Sequence, residues 1–179
     1  MEYLDILDIK GNRTGNTKSK EEVHRNGDWH AAAHVWIINS KDELLIQKKS
    51  QFKTTNQGKW DISAAGHLSA GEEPLEAAIR ETKEELGITV GKEELKHVLT
   101  YKRQVTHNNG TFINNGFQYV FLVKKDLNLS KIRFNKKEIS EIKFITLSNL
   151  MIEINTRNPQ YINHPEEFKT LAKKLNINT

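Results

Sequence analysis

The sequence predicts an α/β fold in which a mixed β-sheet lies between helices. Residues 29–38 form an almost continuous apolar run, WHAAAHVWII, which is typical of a central strand buried on both faces. Residues 74–86 have apolar positions at helical spacing and are bounded by Pro74 and Gly87, which suit a helix start and a helix end. Further extended stretches alternate with helical ones toward the C terminus, and this order indicates a sheet packed between helices.

The chain of 179 residues is long enough for one domain with a substantial core. Charged residues make up 28% and hydrophobic residues 36%, which is typical of a soluble globular protein. Cysteine is absent, which excludes disulfides and thiolate–zinc sites. Because no apolar run has membrane length and no basic-then-apolar leader is present, we expect a cytoplasmic protein that spans no membrane. The net charge of +4 comes from scattered lysines and arginines, so we expect no nucleic-acid partner.

The remaining elements follow from local signals in the chain. Strands at 2–9 and 17–23, joined by turn residues at 10–15, predict an N-terminal hairpin. Further strands are predicted at 43–48, 60–65, 95–105, 110–123 and 138–147, and helices at 148–155 and 164–175. We expect a single domain at 1–179, with a hairpin extension at 1–28, a core at 29–147 and C-terminal helices at 148–179.

The helix predicted at 74–86 carries an acidic arc formed by Glu81, Glu84 and Glu85. Like charges four residues apart repel, and the C-terminal end of a helix already carries partial negative charge. A hard divalent cation reverses both penalties, because Mg²⁺ takes oxygen ligands and often retains substrate phosphates as ligands. An acidic arc on its own is more often a solvated surface, so the residues that flank this one decide the interpretation.

The stretch from Gly66 to Ile88, GHLSAGEEPLEAAIRETKEELGI, resembles the signature of the Nudix hydrolase family. Seven fixed positions match, which happens by chance about once in 10⁸ windows at a residue frequency of roughly 7%. Only Thr82 departs from the pattern, at a position that is usually aliphatic. The resemblance implies an α/β/α sandwich with the signature as a loop–helix–loop. It also implies Mg²⁺- or Mn²⁺-dependent hydrolysis of a diphosphate linkage in a nucleoside diphosphate derivative or a similar small molecule.

The resemblance implies catalytic roles for four residues of the helix. Glu81, Glu84 and Glu85 are the expected metal ligands, and Glu85 is also expected to orient or deprotonate the attacking water. Arg80 is expected to pair with Glu76 or Glu84 and to orient the carboxylates.

Residues outside the helix complete the implied site. The backbone carbonyl of Gly66 and the side chains of Glu72 and His67 are further candidate metal ligands. Candidates for contact with a small-molecule diphosphate substrate lie outside the signature, and they are His24, His30, Tyr101, Arg103 and Phe117.

Beyond the signature, the chain resembles the Nudix branch nearest isopentenyl-diphosphate isomerase, over roughly residues 3–147. In that branch His24, His30 and His67 match imidazoles that bind a second metal, although His24 and His30 are alternatively phosphate contacts. Ala65 stands where the isomerases carry a proton-transferring cysteine.

The isomerases also carry two carboxylates on a later strand, but in this chain Asn114 and Gly116 stand at the corresponding positions. Isomerisation needs an acid and a base on opposite sides of the double bond, so we expect a hydrolase rather than an isomerase. An isomerase and a non-catalytic ligand-binding protein stay open as alternatives. A homodimer is also left open, since many members of the family dimerise.

Several conspicuous side chains are expected to be structural. The residues expected in the core are His34, Trp29, Trp36 and Trp60. Glu138 and Glu141 are expected surface charges, with assistance to catalysis as the alternative.

Overall fold

The computed structural model of the protein describes residues 2–176. Its nine strands form one mixed sheet: β1 (Tyr3–Leu7), β2 (Arg13–Ser19), β3 (Trp29–Ile38), β4 (Glu43–Lys49), β5 (Trp60–Asp61), β6 (Ala64–His67), β7 (Lys96–His107), β8 (Phe112–Lys124) and β9 (Ile139–Thr146). Strands β3 and β8 run parallel, and every other pair of neighbouring strands is antiparallel. The long central strand β3 pairs with β1, β4, β6 and β8, so the sheet is built around the apolar run at 29–38.

Helices cover both faces of this sheet, and the predicted α/β/α arrangement is confirmed. The helices are α1 (Lys20–Asn26), α2 (Pro74–Leu86), α3 (Leu147–Asn155) and α4 (Pro165–Lys174). Alternate residues of β3 enter two separate cores, since Ala33 and Val35 pack with α2 whereas Trp36 packs with α3 and α4. Trp36 and Trp60 are buried and Trp29 is partly buried, as expected for core side chains.

The N-terminal hairpin is present as β1 and β2, but its second strand ends earlier than predicted. The strand predicted at 17–23 is wrong from residue 20 onward, where α1 begins. Ser19 caps this helix with its side chain, Glu22 completes the capping box, and Gly27 ends it with a φ of 69°. The spacing of Ser19, Glu22 and Gly27 is a helix signal in the sequence, and it outweighs the extended appearance of the segment.

The single strand predicted at 60–65 is two short strands in the structure. Residues 62 and 63 separate β5, which pairs with β4, from β6, which pairs with β3. The Ser63 hydroxyl accepts a hydrogen bond from the backbone N–H of Ile37 at 2.8 Å and donates to the Leu45 carbonyl at 2.5 Å. Ser63 therefore bridges β3 and β4 where the two shorter strands diverge.

The other predicted elements match the structure closely. The helix predicted at 74–86 is α2 with the same bounds, and Gly87 follows it with a φ of 68°. The division of the chain into extension, core and C-terminal helices stays a prediction, and residues 1 and 177–179 of that scheme lie outside the described residues. Within residues 2–176, no helix is long and apolar enough to cross a membrane.

Candidate active site

A cleft of about 540 Å³ opens beside α2, and it brings together residues from distant parts of the chain. One side carries Glu81, Glu84 and Glu85 of the acidic arc. The floor and the opposite walls come from β3, β6, β7, β8 and the loop at 50–59. These parts contribute His34, His67, Arg103, Gln118 and Lys53, among others.

The most buried member of the acidic arc is Glu85, which is 5% exposed. Its carboxylate accepts hydrogen bonds from Gln47 Nε2 at 2.8 Å and from the backbone N–H of Ala65 at 3.2 Å. Burial, together with the nearby charge of Glu81, raises the pKa of Glu85 to about 7. Glu85 is therefore fixed in place and holds a proton more tightly than an ordinary glutamate.

Glu81 lies directly against the backbone of Gly66. A Cβ atom added to Gly66 would lie 1.9 Å from the carboxyl carbon of Glu81, so only glycine admits this side chain. Burial is the main cause that raises the pKa of Glu81, and Arg80 opposes it. Glu84 is different, because 59% of its side chain is exposed at the rim.

Arg80 ties the loop before α2 to the acidic arc. Its Nε and Nη2 atoms each donate to Glu72 at 2.8 Å, and Nη1 donates to Glu81 at 2.7 Å and to Glu84 at 3.3 Å. Nη2 also donates to the backbone carbonyl of His67 at 2.9 Å. The predicted pairing with Glu84 is therefore present, whereas the alternative with Glu76 is wrong.

The carboxylates fit a divalent cation by the chemistry of their donor atoms. Glu81 and Glu85 are both largely buried and both have a raised pKa, because burial and mutual repulsion disfavour two ionised carboxylates. Oxygen donors held together at this cost are the ligands that Mg²⁺ and Mn²⁺ prefer. The cation would supply the counter-charge that the protein itself provides only through Arg80 and nearby lysines.

Three histidines meet beside one end of the cleft, and His67 is the one of the three that lines it. One ring nitrogen from each of His24, His30 and His67 lies within 4.8 Å of the others. The Nδ1 atoms of His24 and His30 are hydrogen-bonded to backbone carbonyls, at 2.7 and 3.0 Å, which leaves each Nε2 without a proton. Burial lowers the pKa of all three rings, to about 4 for His30, so the cluster is neutral.

Four buried side-chain atoms without a hydrogen-bond partner occur near this cluster. They are the Nε2 atoms of His24 and His30, Asn114 Oδ1 and Gln118 Oε1. Each of these four atoms can accept a hydrogen bond or bind a cation, but none has such a partner among the described residues. Burying an acceptor without a partner costs free energy of folding. The sequence analysis grouped these three histidines as candidate ligands of a second metal, with phosphate contact as the alternative for His24 and His30, and the structure places the three rings together.

The opposite end of the cleft contains charged residues that sequence reasoning missed. His164 Nε2 lies 2.7 Å from Asp61 Oδ1, and Lys49 Nζ lies 3.4 Å from Asp61 Oδ2. Arg103, a predicted substrate contact, lines the cleft and donates to His164 Nδ1 at 2.6 Å. The sequence offers little signal for this group, because Lys49, Asp61 and His164 belong to no motif.

Of the five predicted substrate contacts, only Arg103 lines the cleft. His24 and His30 belong to the histidine group described above, and Phe117 and Tyr101 are covered by other parts of the fold. Phe117 is 6% exposed and packs in the opposite core, where its ring centroid lies 5.3 Å from that of Trp29. Residues alternate along β8, so Gln118 faces the cleft and Phe117 faces away from it. Tyr101 shares a face of β7 with Arg103, but it lies under α4, where its hydroxyl donates to Glu167 at 2.7 Å.

Three residues with predicted surface or core positions, Glu141, Glu138 and His34, differ in how they are placed. Glu141 is exposed and forms only a 3.8 Å ion pair with Lys48, as expected for a surface charge. Glu138 lines the cleft and pairs with Lys53, so the surface assignment does not hold for it. His34 is 8% exposed and hydrogen-bonded, as a core residue should be, yet it also lines the cleft.

Known proteins similar to this chain point to one family. Residues 28–165 match the model of the NUDIX domain. Nudix hydrolase 3 of Arabidopsis thaliana is 34% identical over 187 residues, which cover 99% of this chain and 24% of that protein. The chain therefore spans about a quarter of the length of that relative.

A second relative and a solved structure extend the comparison. Isopentenyl-diphosphate Delta-isomerase 1 of Photorhabdus laumondii is 32% identical over 171 residues, covering 95% of this chain and 89% of that protein. A crystal structure of a Deinococcus radiodurans protein superposes with a TM-score of 0.65 at 22% identity, over 87% of this chain and 90% of that one. At that identity the structural similarity concerns the fold alone.

Proposed function

The chain belongs to the Nudix hydrolase family, whose enzymes act on pyrophosphate bonds, and we propose that it cleaves a diphosphate linkage in a divalent-cation-dependent reaction. The proposed substrate is a nucleoside diphosphate derivative or a similar small molecule. The observation that carries the proposal is the pair Glu81 and Glu85, both largely buried in one cleft and both with a raised pKa.

Glu85 is the proposed residue for orienting and deprotonating the water that attacks phosphorus. Hydrogen bonds from Gln47 and from the N–H of Ala65 hold its carboxylate toward the cleft. Its pKa of about 7 matches what a general base needs near neutral pH. A bound Mg²⁺ or Mn²⁺ would neutralise the phosphates and lower the pKa of the attacking water.

The proposed ligands for that cation are Glu81, Glu84 and Glu85 together with the carbonyl of Gly66. Arg80 supports them as a positioning residue, because it holds Glu81 and Glu84 from one side. Glu72 holds Arg80 in place, because its carboxylate accepts two hydrogen bonds from the Arg80 guanidinium. The same carboxylate accepts a third hydrogen bond from the backbone N–H of Ser69 at 2.8 Å. Both carboxylate oxygens of Glu72 are therefore occupied by protein donors, and a metal contact by Glu72 would require Arg80 to move away.

The rest of the cleft supports an anionic substrate. Lys49, Lys53 and Arg103 line it, and each is held by a neighbouring side chain rather than free in solvent. The hydrogen bond and charge of Glu138 outweigh burial and raise the pKa of Lys53, so this lysine stays cationic. Cationic side chains in a partly closed cleft attract phosphates.

The three-histidine group is the proposed place for a second divalent cation. Its ring nitrogens are neutral, two of them have no partner, and the amide oxygens of Asn114 and Gln118 are unpaired nearby. Neutral imidazoles suit borderline metals such as Zn²⁺ or Co²⁺ better than they suit Mg²⁺. His24 and His30 would then hold that cation rather than contact phosphate directly.

The second candidate function is isomerisation of isopentenyl diphosphate, which is favoured by the isomerase relative and by the three-histidine group. Three residues argue against it. Ala65 lies in the cleft wall and cannot move a proton, and neither Asn114 nor Gly116 supplies a carboxylate. A hydrolase is therefore the better supported function.

A substrate screen separates the hydrolase from its alternatives. Nucleoside diphosphates, sugar nucleotides, dinucleotide cofactors and isoprenoid diphosphates are incubated with the protein and Mg²⁺, and the products are followed by ³¹P NMR. A hydrolase yields new phosphate monoesters from at least one compound. Conversion of isopentenyl diphosphate without phosphate cleavage indicates an isomerase, and binding without turnover indicates a ligand-binding protein.

A further inference from the structure

His34 lies on the floor of the cleft and is held from behind by the C-terminal helix. Its Nδ1 atom lies 2.7 Å from Oε1 of Glu167, a fully buried residue of α4. The other ring nitrogen, Nε2, has no hydrogen-bond partner among residues 2–176, and the ring lines the cleft. The two residues are 133 positions apart in the chain, so the contact depends on the tertiary fold.

Three donors fix the carboxylate of Glu167 in one orientation. Trp36 Nε1 donates to Oε2 at 2.6 Å, the Tyr101 hydroxyl donates to Oε1 at 2.7 Å, and His34 Nδ1 donates to Oε1. Burial alone would raise the pKa of Glu167, but the imidazoles of His34 and His164 hold it well below the usual value. An ionised carboxylate only accepts hydrogen bonds, so Nδ1 of His34 carries a proton whatever the charge of the ring, and Nε2 is the nitrogen that can gain or give one.

The ring of His34 lies beside the signature loop. Its cross-strand partner is Ala65, whose small side chain leaves room at this point of the floor. The backbone N–H of the same Ala65 donates to Glu85. Side chains of directly paired residues are about 5 Å apart, so one residue separates His34 from the carboxylate proposed to activate water.

The charged groups around His34 come from four elements. Glu167 of α4 contacts it directly, and the ring of His164, just before α4, lies 5.5 Å away between centroids. Behind His164 are Asp61 of β5 and Arg103 of β7, and Asp61 is paired with Lys49. These charges largely balance one another, which leaves Glu167 as the group that acts on His34 directly.

We propose that His34 is a catalytic residue that donates a proton to the departing phosphoryl oxygen, and that Glu167 positions it. The inference rests on the proposed function. In an in-line displacement the leaving oxygen lies opposite the attacking water, and His34 lies across Ala65 from Glu85. Carboxylate-held imidazoles do the corresponding work in serine proteases.

The proton transfers of this step balance with water as the only co-reactant. Attack on phosphorus gives one water proton to Glu85, and the breaking P–O bond leaves its electron pair on the departing oxygen. Protonated His34 gives the Nε2 proton to that oxygen, and the imidazole then has its remaining proton on Nδ1, toward Glu167. Bulk water removes the proton from Glu85 and returns one to Nε2.

The kinetic test compares His34→Gln with a histidine outside the cleft, His97→Gln. We expect His34→Gln to lower kcat on the best screened diphosphate by at least about 10²-fold, the usual scale for a lost acid–base group. We also expect the loss to shrink on a diphosphate whose leaving group is less basic and needs no proton donor, which a purely structural role would not produce. His97 is exposed and hydrogen-bonded only to Thr100, so its variant should match the wild type. An unchanged kcat in His34→Gln, or a loss that is the same for every leaving group, overturns the inference but leaves the hydrolase proposal standing.

A binding test covers the case in which a variant folds poorly or no substrate is found. Side-chain ¹⁵N NMR follows the wild-type histidines as imidodiphosphate and Mg²⁺ are added. We expect the His34 Nε2 resonance to move to the protonated range, the His97 resonances to stay, and Glu167→Gln to mix the two His34 tautomers. Saturation of the protein without a response at His34 overturns the inference, and failure of imidodiphosphate to bind removes the proposed function with it.

Discussion

The substitution Gly66→Ala tests whether the position of Glu81 controls the acidic cluster. The new Cβ would lie 1.9 Å from the Glu81 carboxyl carbon, whereas ordinary contacts begin at 3.4 Å. Glu81 must therefore retreat by about 1.5 Å. Since Mg²⁺–oxygen distances are near 2.0–2.1 Å and poorly adjustable, a ligand displaced this far is lost. A misplacement of about 1 Å in an active site can cost 10²-fold in rate.

We expect Gly66→Ala to weaken Mg²⁺ binding at least about 10-fold, as measured by calorimetry, and to lower kcat by about 10²-fold. The fold should survive, because the clash involves the end of a flexible side chain and Gly66 has no positive φ. Gly15→Ala is the matched control. Its Cβ meets no atom within 4 Å, but its φ of 84° costs alanine about 1–2 kcal/mol. The control should lose stability and keep Mg²⁺ affinity, and a Gly66→Ala variant with wild-type affinity would refute the reasoning.

Three further outcomes concern the cluster and its surroundings. Millimolar Mg²⁺ or Mn²⁺ should raise the melting temperature above that in EDTA, because a ligand that binds the native state stabilises it. Equal melting temperatures in the two conditions argue against a metal site at the acidic arc. In EDTA the free energy of unfolding of the wild type, relative to that of Glu85→Gln, should fall between pH 4.5 and about 7, because unfolded Glu85 releases its proton first; a difference that stays constant over this range in urea denaturation contradicts this. Isopentenyl diphosphate in deuterated water should gain no carbon-bound deuterium, because Ala65 has no proton to transfer; label above the no-enzyme control overturns this.

Local sequence patterns predicted the central strand and the signature helix well. The apolar run of β3 and the helix bounded by Pro74 and Gly87 were found with the predicted bounds, because each depends on neighbouring residues. The acidic arc was also predictable from neighbouring residues, since spacing along one helix decides which carboxylates share a face. Two local predictions were wrong. The strand predicted at 60–65 is two short strands, and the segment after Ser19 is α1, for which Ser19 and Glu22 supply the capping signals.

The parts of the site that depend on distant contacts were not predictable in this way. Glu167 reaches His34 across 133 positions, and His164 reaches Asp61 across 103. The sequence places Phe117 and Tyr101 on strands near the cleft, but it does not indicate which way their side chains point. Which face of a strand is covered depends on packing, and no single-sequence pattern reports that α4 lies over Tyr101.

The most direct test of the central claim is the turnover of Glu85→Gln in H₂¹⁸O on the best diphosphate from the screen. The wild type should place ¹⁸O in one phosphate product, detected by ³¹P NMR, and should stop in EDTA. Glu85→Gln should keep its circular dichroism spectrum and lose at least about 10²-fold in turnover. The exposed surface variant Glu141→Gln should match the wild type. Near-wild-type turnover of folded Glu85→Gln would contradict the account.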